Sequence, residues 1–472
     1  MKEQAVAWRV LTLNTIAFTM CFACWMLNGV LVTFLVENGL FEWDPAQMGT
    51  LIGIPVLTGS VMRLPLGMLT DKFGGRPVYT LLMLSSAVPM FLLSRVDSYS
   101  GYLLASLGFG MTGTSFAVGI AFSSVWFRRE HQGTALGIFG AGNAGAALTA
   151  VAAPRILRWL TDGGAHLEGW RLLPVGYALL LVVMSVIFFL GTANKKPELA
   201  SERTVLQMLS PLRNVRVWRF GLYYFLVFGG FVALAQWLVP YYVNVYSMTI
   251  VTAGTLTAIF SFPSGVIRAL GGFLSDKLGP RTVMYWTLGA IGLCSFALFF
   301  PRMEIESPGN GITAWRSGTV TAVTTTEIRV GDDRYSLESE ATREIDRTQT
   351  HLLPVIRSWH VPQVEVGQQV GRRQLLASGV TNIFFQANVW VFTILVFVIG
   401  IAMGIGKAAV YKYIPEYFPS EVGVVGGMVG VIGGLGGFVC PIIFGYLLKG
   451  IGLWTTTWIF FFFVTLACLV WL

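Results

Sequence analysis

Two arginines stand where a cation is costly to place. Arg63 lies in VLTGSVMRLPLGMLTDKFGGRP and Arg268 in FPSGVIRALGGFLSDKLGPR, each inside an apolar run. The same string follows both: Gly67, Asp71, Lys72, Gly74 and Arg76 after the first, and Gly272, Asp276, Lys277, Gly279 and Arg281 after the second. The offset is 205 residues at every pair, so the chain carries two copies of one unit with a cation at the same depth in each. Arg63 precedes Asp71 by eight residues, about 12 Å along a helix at ~1.5 Å per residue. Against a hydrocarbon core of about 30 Å, that is close to the midplane. No aspartate or glutamate falls in the middle of any apolar run, so neither arginine has an obvious buried counter-ion. Intramembrane ionisable residues mark ligand sites by default. We read the two arginines as facing one another and holding a small anion. Paired guanidiniums offer planar, forked donors that suit a planar oxyanion, and they argue against a cationic substrate.

The elements that must position these arginines are membrane helices. Only 12% of the 472 residues are charged and 54% are hydrophobic, with a mean hydropathy of +0.67. A soluble protein carries about twice that share of charge. Apolar runs long enough to cross a bilayer recur along the chain. Twelve spans are predicted, near 9–36, 46–70, 76–95, 99–126, 131–158, 169–192, 216–246, 250–274, 281–301, 386–413, 421–448 and 452–472. The first lacks a small-residue cleavage site and reads as a membrane helix, not a removed signal. Lys2, Arg9, Lys72, Arg76, Arg128, Arg129, Lys195, Lys196, Arg203, Arg213, Lys277 and Arg281 collect on one side, while Glu37, Glu42 and Asp44 fall on the other with Arg155 and Arg158. The basic side is the cytoplasmic one, which places both termini there.

The predicted fold class is therefore an all-α polytopic membrane protein of two six-helix halves. The N-terminal half is 1–192, a polar cytoplasmic linker is 193–215, and the C-terminal half is 216–301 with 386–472. The net charge of +8 belongs to the loops and implies no nucleic-acid partner. All five cysteines lie in apolar runs. Cys21 and Cys24 form a CxxC without a second pair, so core packing is the expected role and no metal or cofactor is implied. No nucleophile–base set or phosphate loop is visible, which argues against an enzyme.

Residues 302–385 break the pattern. This stretch holds ten of the 24 acidic residues, nine arginines and no lysine. Runs such as GTVTAVTTTEIRVGDDRYSLE and VPQVEVGQQVGRRQLLASG are strand-like, with glycine turns between them. Beyond it the repeat offset grows from 205 to 291, because Phe127, Glu130 and Gly142 match Phe418, Glu421 and Gly433. About 86 residues are thus inserted between spans 9 and 10, on the extracytoplasmic side. The insertion is expected to be a small β-rich structural, gating or partner-binding cap.

Two glycine-dense segments complete the pattern: GIFGAGNAGAALTAVAAP in span 5, with Asn143, and GVVGGMVGVIGGLGGFVCP in span 11. Small residues let helices approach closely, which leaves room only for a small substrate. Asn143 adds a neutral donor within reach of an anion.

The repeated G-x-L-x-D-K-x-G-x-R string resembles the signature loop of the major facilitator superfamily. GAGNAG, GGLGGF and RALGG together resemble the nitrate/nitrite porter (NarK-type) family of that superfamily. The resemblance covers all twelve spans but not the insertion. It implies that Arg63 and Arg268 clamp nitrate or nitrite, with Asn143, Tyr224, Phe228 and Phe116 completing the substrate site. It gives Asp71, Arg76, Asp276 and Arg281 to the gating loops. Lys412 sits near the cytoplasmic end and serves as a positive-inside anchor, while Lys407 lies deeper as a candidate inner-side anion contact. GKAAVYKYIP and GIFGAGNAG resemble the subgroup linked to nitrate/proton symport, which makes a proton the expected co-substrate. The expectation is a monomeric porter of a bacterial inner membrane that imports nitrate. Nitrate/nitrite exchange, another small anion such as formate or oxalate, and a membrane sensor stand as alternatives.

Overall fold

The computed structural model describes residues 2–127, 129–196, 210–300, 303–339, 354–385, 388–418 and 422–472. The centre of the expected linker, the acidic stretch 340–353 with His351, and Glu421 lie outside them. The described chain divides into two compact units, Met1–Phe299 with Thr393–Leu472, and Phe300–Phe392.

The larger unit is a bundle of helical rods. We number them α1 (Gln4–Glu37), α2 (Pro45–Phe73), α3 (Gly75–Arg95), α4 (Tyr99–Ser124), α5 (Thr134–Leu160), α6 (Leu167–Gly191) and α7 (Val215–Tyr246). Then follow α8 (Ile250–Val266 and Arg268–Leu278), α9 (Pro280–Ala297), α10 (Val389–Tyr417), α11 (Val424–Ile451) and α12 (Thr456–Trp471). Among the described residues nine rods are long and apolar enough to cross a membrane, and α8 makes a tenth if its 46° bend is counted within one span. The expected twelve spans are thus matched in part; α12 is shorter and α9 falls outside that set.

Several rods are broken at mid-length. In α2 the break is at Met62, between Pro45–Val61 and Arg63–Phe73. Pro65 contributes to it, since its ring clashes with the carbonyl four residues back, at Val61. The copy in α8 breaks at Ile267 with nearly the same dihedrals, φ −69° and ψ −7° against −71° and −6°. There Leu270 stands where the first copy has Pro65, so the bend belongs to the repeat and not to the proline alone. A 3₁₀ turn interrupts α4 at Gly110–Thr114 and α5 at Ala141–Ala144, and a π turn interrupts α7 at Phe225–Gly229.

The signature loops correct one expectation. Asp71 and Asp276 were expected just past a helix end, yet both lie inside their helices, which run to Phe73 and Leu278. The stops are Gly74 and Gly279, at φ 88° and 82°. Side chains other than glycine rarely adopt that conformation, so glycine sets the boundary two residues later.

At one end of the bundle the two halves meet along glycine seams. Gly29 of α1 packs on Gln236 of α7, Gly49 and Gly53 of α2 on Pro441 and Phe438 of α11, and Gly254 of α8 on Ala150 of α5. Gly445 of α11 closes on Pro45. Polar ties cross the same seams: Asn244 Nδ2 donates to Glu37 (2.9 Å), Lys449 Nζ to Asp44 (2.9 Å), and Arg155 to Thr255 Oγ1 (3.1 Å).

The smaller unit is β-structured. Its strands are β1 (Met303–Thr313), β2 (Gly318–Val323), β3 (Glu327–Val330), β4 (Asp333–Ser336), β5 (Val355–Pro362), β6 (Gln369–Val370) and β7 (Leu375–Phe385). They form a three-stranded sheet, β1-β7-β5, and a four-stranded sheet, β4-β3-β2-β6. Val320, Ile328, Val330, Tyr335, Val370 and Leu376 form a core of its own. β1 and β7 pair from Met303↔Phe385 inward, so the unit's two ends lie side by side.

Candidate functional site

Every candidate substrate residue sits at one of the helix breaks. Arg63 and Arg268 each follow a bend directly. Asn143 lies within the α5 3₁₀ turn, Phe116 two residues after the α4 turn, and Tyr224 and Phe228 at the start of and within the π turn. Discontinuous helices near the midplane are how transporters expose donors to a substrate, and π turns gather at functional sites.

The arginines converge on one ring. The Arg63 guanidinium lies 5.7 Å from the Phe116 centroid and that of Arg268 lies 5.5 Å from it. Arg63 is 5% exposed and also approaches Phe228 (5.2 Å) and Trp25 (5.8 Å). Its Nη1 donates across the halves to the Gly430 carbonyl at 2.9 Å. Its Nε and Nη2 have no hydrogen-bond partner, and no carboxylate pairs with it among the described residues. A buried cation left this way is expensive unless something neutralises it. Tyr224 stacks on Phe228 (5.0 Å, 9°), and its hydroxyl, fully buried, is also unpartnered. So is the hydroxyl of Ser60, one turn before Arg63.

A cavity of about 1330 Å³ reaches both arginines. Phe116, Tyr411, Gly137, Gly427 and Gly430 line it, and it extends to Asp71 and Asp276 at the signature-loop end. The opposite end is the one closed by the glycine seams. The site is therefore accessible from a single side.

Two candidates stand elsewhere than expected. The Asn143 amide turns back to donate to the Gly140 carbonyl (2.8 Å), its Oδ1 has no partner, and its backbone packs against Gly265 of α8. It does not line the cavity, which opens below this seam. Lys407 is fully buried behind the wall formed by Ala408 and Tyr411, not on it. The signature loops differ from one another as well. Asp276 pairs with Lys412 of α10, and the Arg76 guanidinium lies 4.0 Å from the Phe189 centroid. Arg281 reaches the Tyr285 hydroxyl at 3.4 Å.

Sequence reasoning missed Tyr411. It lies 5.4 Å from the Arg268 guanidinium carbon, edge-on to Tyr224 at 5.0 Å, and its hydroxyl donates to the Gly426 carbonyl. Its position four residues after Lys407 was the available signal, since that spacing shares a helix face. The Lys412–Asp276 pair spans 136 residues, and nothing in either motif announces it.

Residues 13–315 match the model of the Major Facilitator Superfamily. The chain is 39% identical to the "Probable nitrate/nitrite antiporter NarK1" of Thermus thermophilus, over all of this chain and 92% of that protein. It is 25% identical to the "Nitrite extrusion protein" of Bacillus subtilis, over 94% of this chain and 88% of that one. A solved bacterial homologue of the lysosomal transporter Spinster, in an inward-facing and unoccupied conformation, shares the fold with a TM-score of 0.60 at 15% identity, covering 99% of this chain and 94% of its own. The chain belongs to the Major Facilitator Superfamily. Within it, the chain belongs to the nitrate/nitrite porter family of NarK type.

Proposed function

We propose that this protein is a twelve-span secondary transporter that imports nitrate across a bacterial inner membrane together with protons. The observation that carries the proposal is a cavity that ends on two arginines sharing one aromatic ring, with the far end sealed. Nitrate is flat and monovalent. The unpaired Nε and Nη2 of Arg63, with Arg268 across Phe116, offer it forked donors, and the Tyr224 hydroxyl adds a third. Nitrite presents the same charge to the same donors.

In this reading the termini and signature loops are cytoplasmic, so the conformation is open to the inside. The glycine seams α1–α7, α2–α11 and α5–α8 form the outer gate. Rocking the halves would open those seams and close the Asp71–Asp276 end. Asp71, Arg76, Asp276 and Arg281 latch that end, and Asn143, at the α5–α8 seam, reaches the anion when the seam opens. The Arg63–Gly430 hydrogen bond crosses the halves and is exchanged for an anion contact during the cycle. The residues of Met303–Phe385 form an extracytoplasmic β insertion of a monomeric protein.

A second reading is nitrate/nitrite exchange, and the name of the Thermus relative favours it. Reconstituted protein separates the two. Symport predicts nitrate uptake into liposomes that is driven by an inwardly directed proton gradient without internal nitrite. Uptake that requires internal nitrite and ignores the pH gradient would refute symport.

A further inference from the structure

Lys407 has no part in the anion cavity, yet it is a cation at full burial. Its Nζ lies 3.2 Å from the Ser264 hydroxyl, 3.5 Å from the Ser264 carbonyl and 3.2 Å from the centroid of Phe231. No carboxylate pairs with it among the described residues. It cannot snorkel, because α10 is wedged tightly on both sides of it. Gly404 packs against Ser264 and Ile267 of α8, and Gly406 against Val227 of α7 and Thr287 of α9. Two hydrogen bonds and one ring face replace far less solvation than an ammonium loses on leaving water.

Arg268 stands four residues beyond Ser264 on α8, and among the described residues it is the charge that acts on Lys407. Lys407 meets Phe231 of α7 and Ser264 of α8, and the adjacent Gly406 meets Val227 of α7 and Thr287 of α9, none of which is charged. Beyond Arg268 stand Tyr411 and Arg63. An anion arriving between the arginines would offset the field of Arg268 at Lys407. An anion leaving would restore it. Proton occupancy of Lys407 and anion occupancy of the arginine site are therefore coupled, and such coupling is reciprocal.

We propose that Lys407 is the group that carries the co-transported proton, bound as the ammonium while nitrate occupies the arginine site and released to water once nitrate has left. The step breaks one N–H bond, leaves a neutral amine on Lys407 and transfers the proton to water; no other reactant is required. It rests on the symport reading above and supplies its missing carrier, since no carboxylate or histidine falls in the middle of an apolar run of the sequence. Ser264 serves both forms, because its hydroxyl can accept from an ammonium or donate to an amine. Ser261, one turn further along α8 toward the sealed end, is fully buried with an unpartnered hydroxyl and extends the polar track in that direction.

The test uses full-length protein in liposomes with two readouts. One is net nitrate uptake driven by a pH gradient, followed together with an internal pH dye. The other is exchange of labelled nitrate against internal nitrate, which needs no net proton movement. Lys407→Met should lose gradient-driven uptake and its proton signal by at least about tenfold, while nitrate/nitrate exchange stays within about threefold of wild type and loses its pH dependence. Lys407→Arg keeps the charge but cannot release the proton, and should behave like Lys407→Met. Gradient-driven uptake that persists in Lys407→Met, or is restored in Lys407→Arg, would overturn the proposal. Loss of exchange as well, in variants with wild-type melting temperature, would also overturn it and assign Lys407 to the anion site. A wild-type protein whose nitrate uptake moves no protons would instead refute the symport reading on which the proposal rests.

Discussion

Substituting Gly53 by alanine should push the transporter out of the conformation described here. A Cβ at Gly53 would lie 2.5 Å from the Phe438 carbonyl oxygen, where ordinary contacts begin at 3.4 Å. The neighbour is backbone of α11 and cannot swing aside, so α2 and α11 must separate by nearly 1 Å at this point. Overpacking of this kind costs about 1–3 kcal/mol. The contact exists only while the seam is closed, so the cost falls on that state alone. The ratio of closed to open outer gate should drop by roughly 5–150-fold. Spin labels at Glu42→Cys and Ser247→Cys, one in each half at the sealed end, report this as a distance distribution. The five native cysteines are all buried, so the labels go where they are placed. The variant should show a longer distance that is minor or absent in the parent. An unchanged distribution in a folded Gly53→Ala protein would refute the assignment of this seam as a gate.

Three further outcomes follow from the same geometry. Lys412→Met and Asp276→Asn should each slow nitrate uptake by at most about fivefold, since the pair is half-exposed and such pairs are weak; the double variant should be no slower than either single one. At Asp44, the backbone N–H of Gln47 and then the Lys449 ammonium hold the carboxyl below its usual value. Its contribution is therefore complete above about pH 4 and is lost as pH falls through the lowered value. Asp44→Asn, which keeps the helix cap, should shift Tm by less than about 2 °C at pH 5–8 with no pH dependence, whereas Asp44→Ala should lose about 1 kcal/mol through the cap. Finally, the β unit has its own core, and Met303 pairs with Phe385 across adjacent strands. Replacing residues 303–385 by a short glycine–serine linker should leave a folded membrane unit with nitrate exchange within about threefold of the parent. Loss of exchange in that folded variant would show that the β unit takes part in the cycle.

The arginines were legible because charge in an apolar run is rare and the 205-residue repeat set them at one depth. The glycine segments were legible for a related reason, since a seam without room for a Cβ leaves a compositional trace. Strand runs between 303 and 385 showed in their alternation and glycine turns. Other features depend on tertiary geometry. Pro65 announces the first helix break, but the second, before Arg268, has leucine, Leu270, at the matching position. The end of each signature helix is decided by a glycine three residues beyond the aspartate, Gly74 and Gly279, while the aspartates carry the more conspicuous signal. Tyr411 and Lys412 come from α10, beyond the 86-residue insertion, so their partners on α7, α8 and α11 carry no local signal. Lys407 showed as a deep lysine, but only packing reveals that it sits behind the cavity wall.

The central claim is that Arg63 and Arg268 hold nitrate through the guanidinium fork and not through charge alone. Nitrate uptake by Arg63→Lys and Arg268→Lys in reconstituted liposomes tests it most directly, because lysine keeps the charge and loses the fork. The account predicts that each variant loses most of its uptake while remaining folded. Near-normal nitrate uptake by both would contradict it.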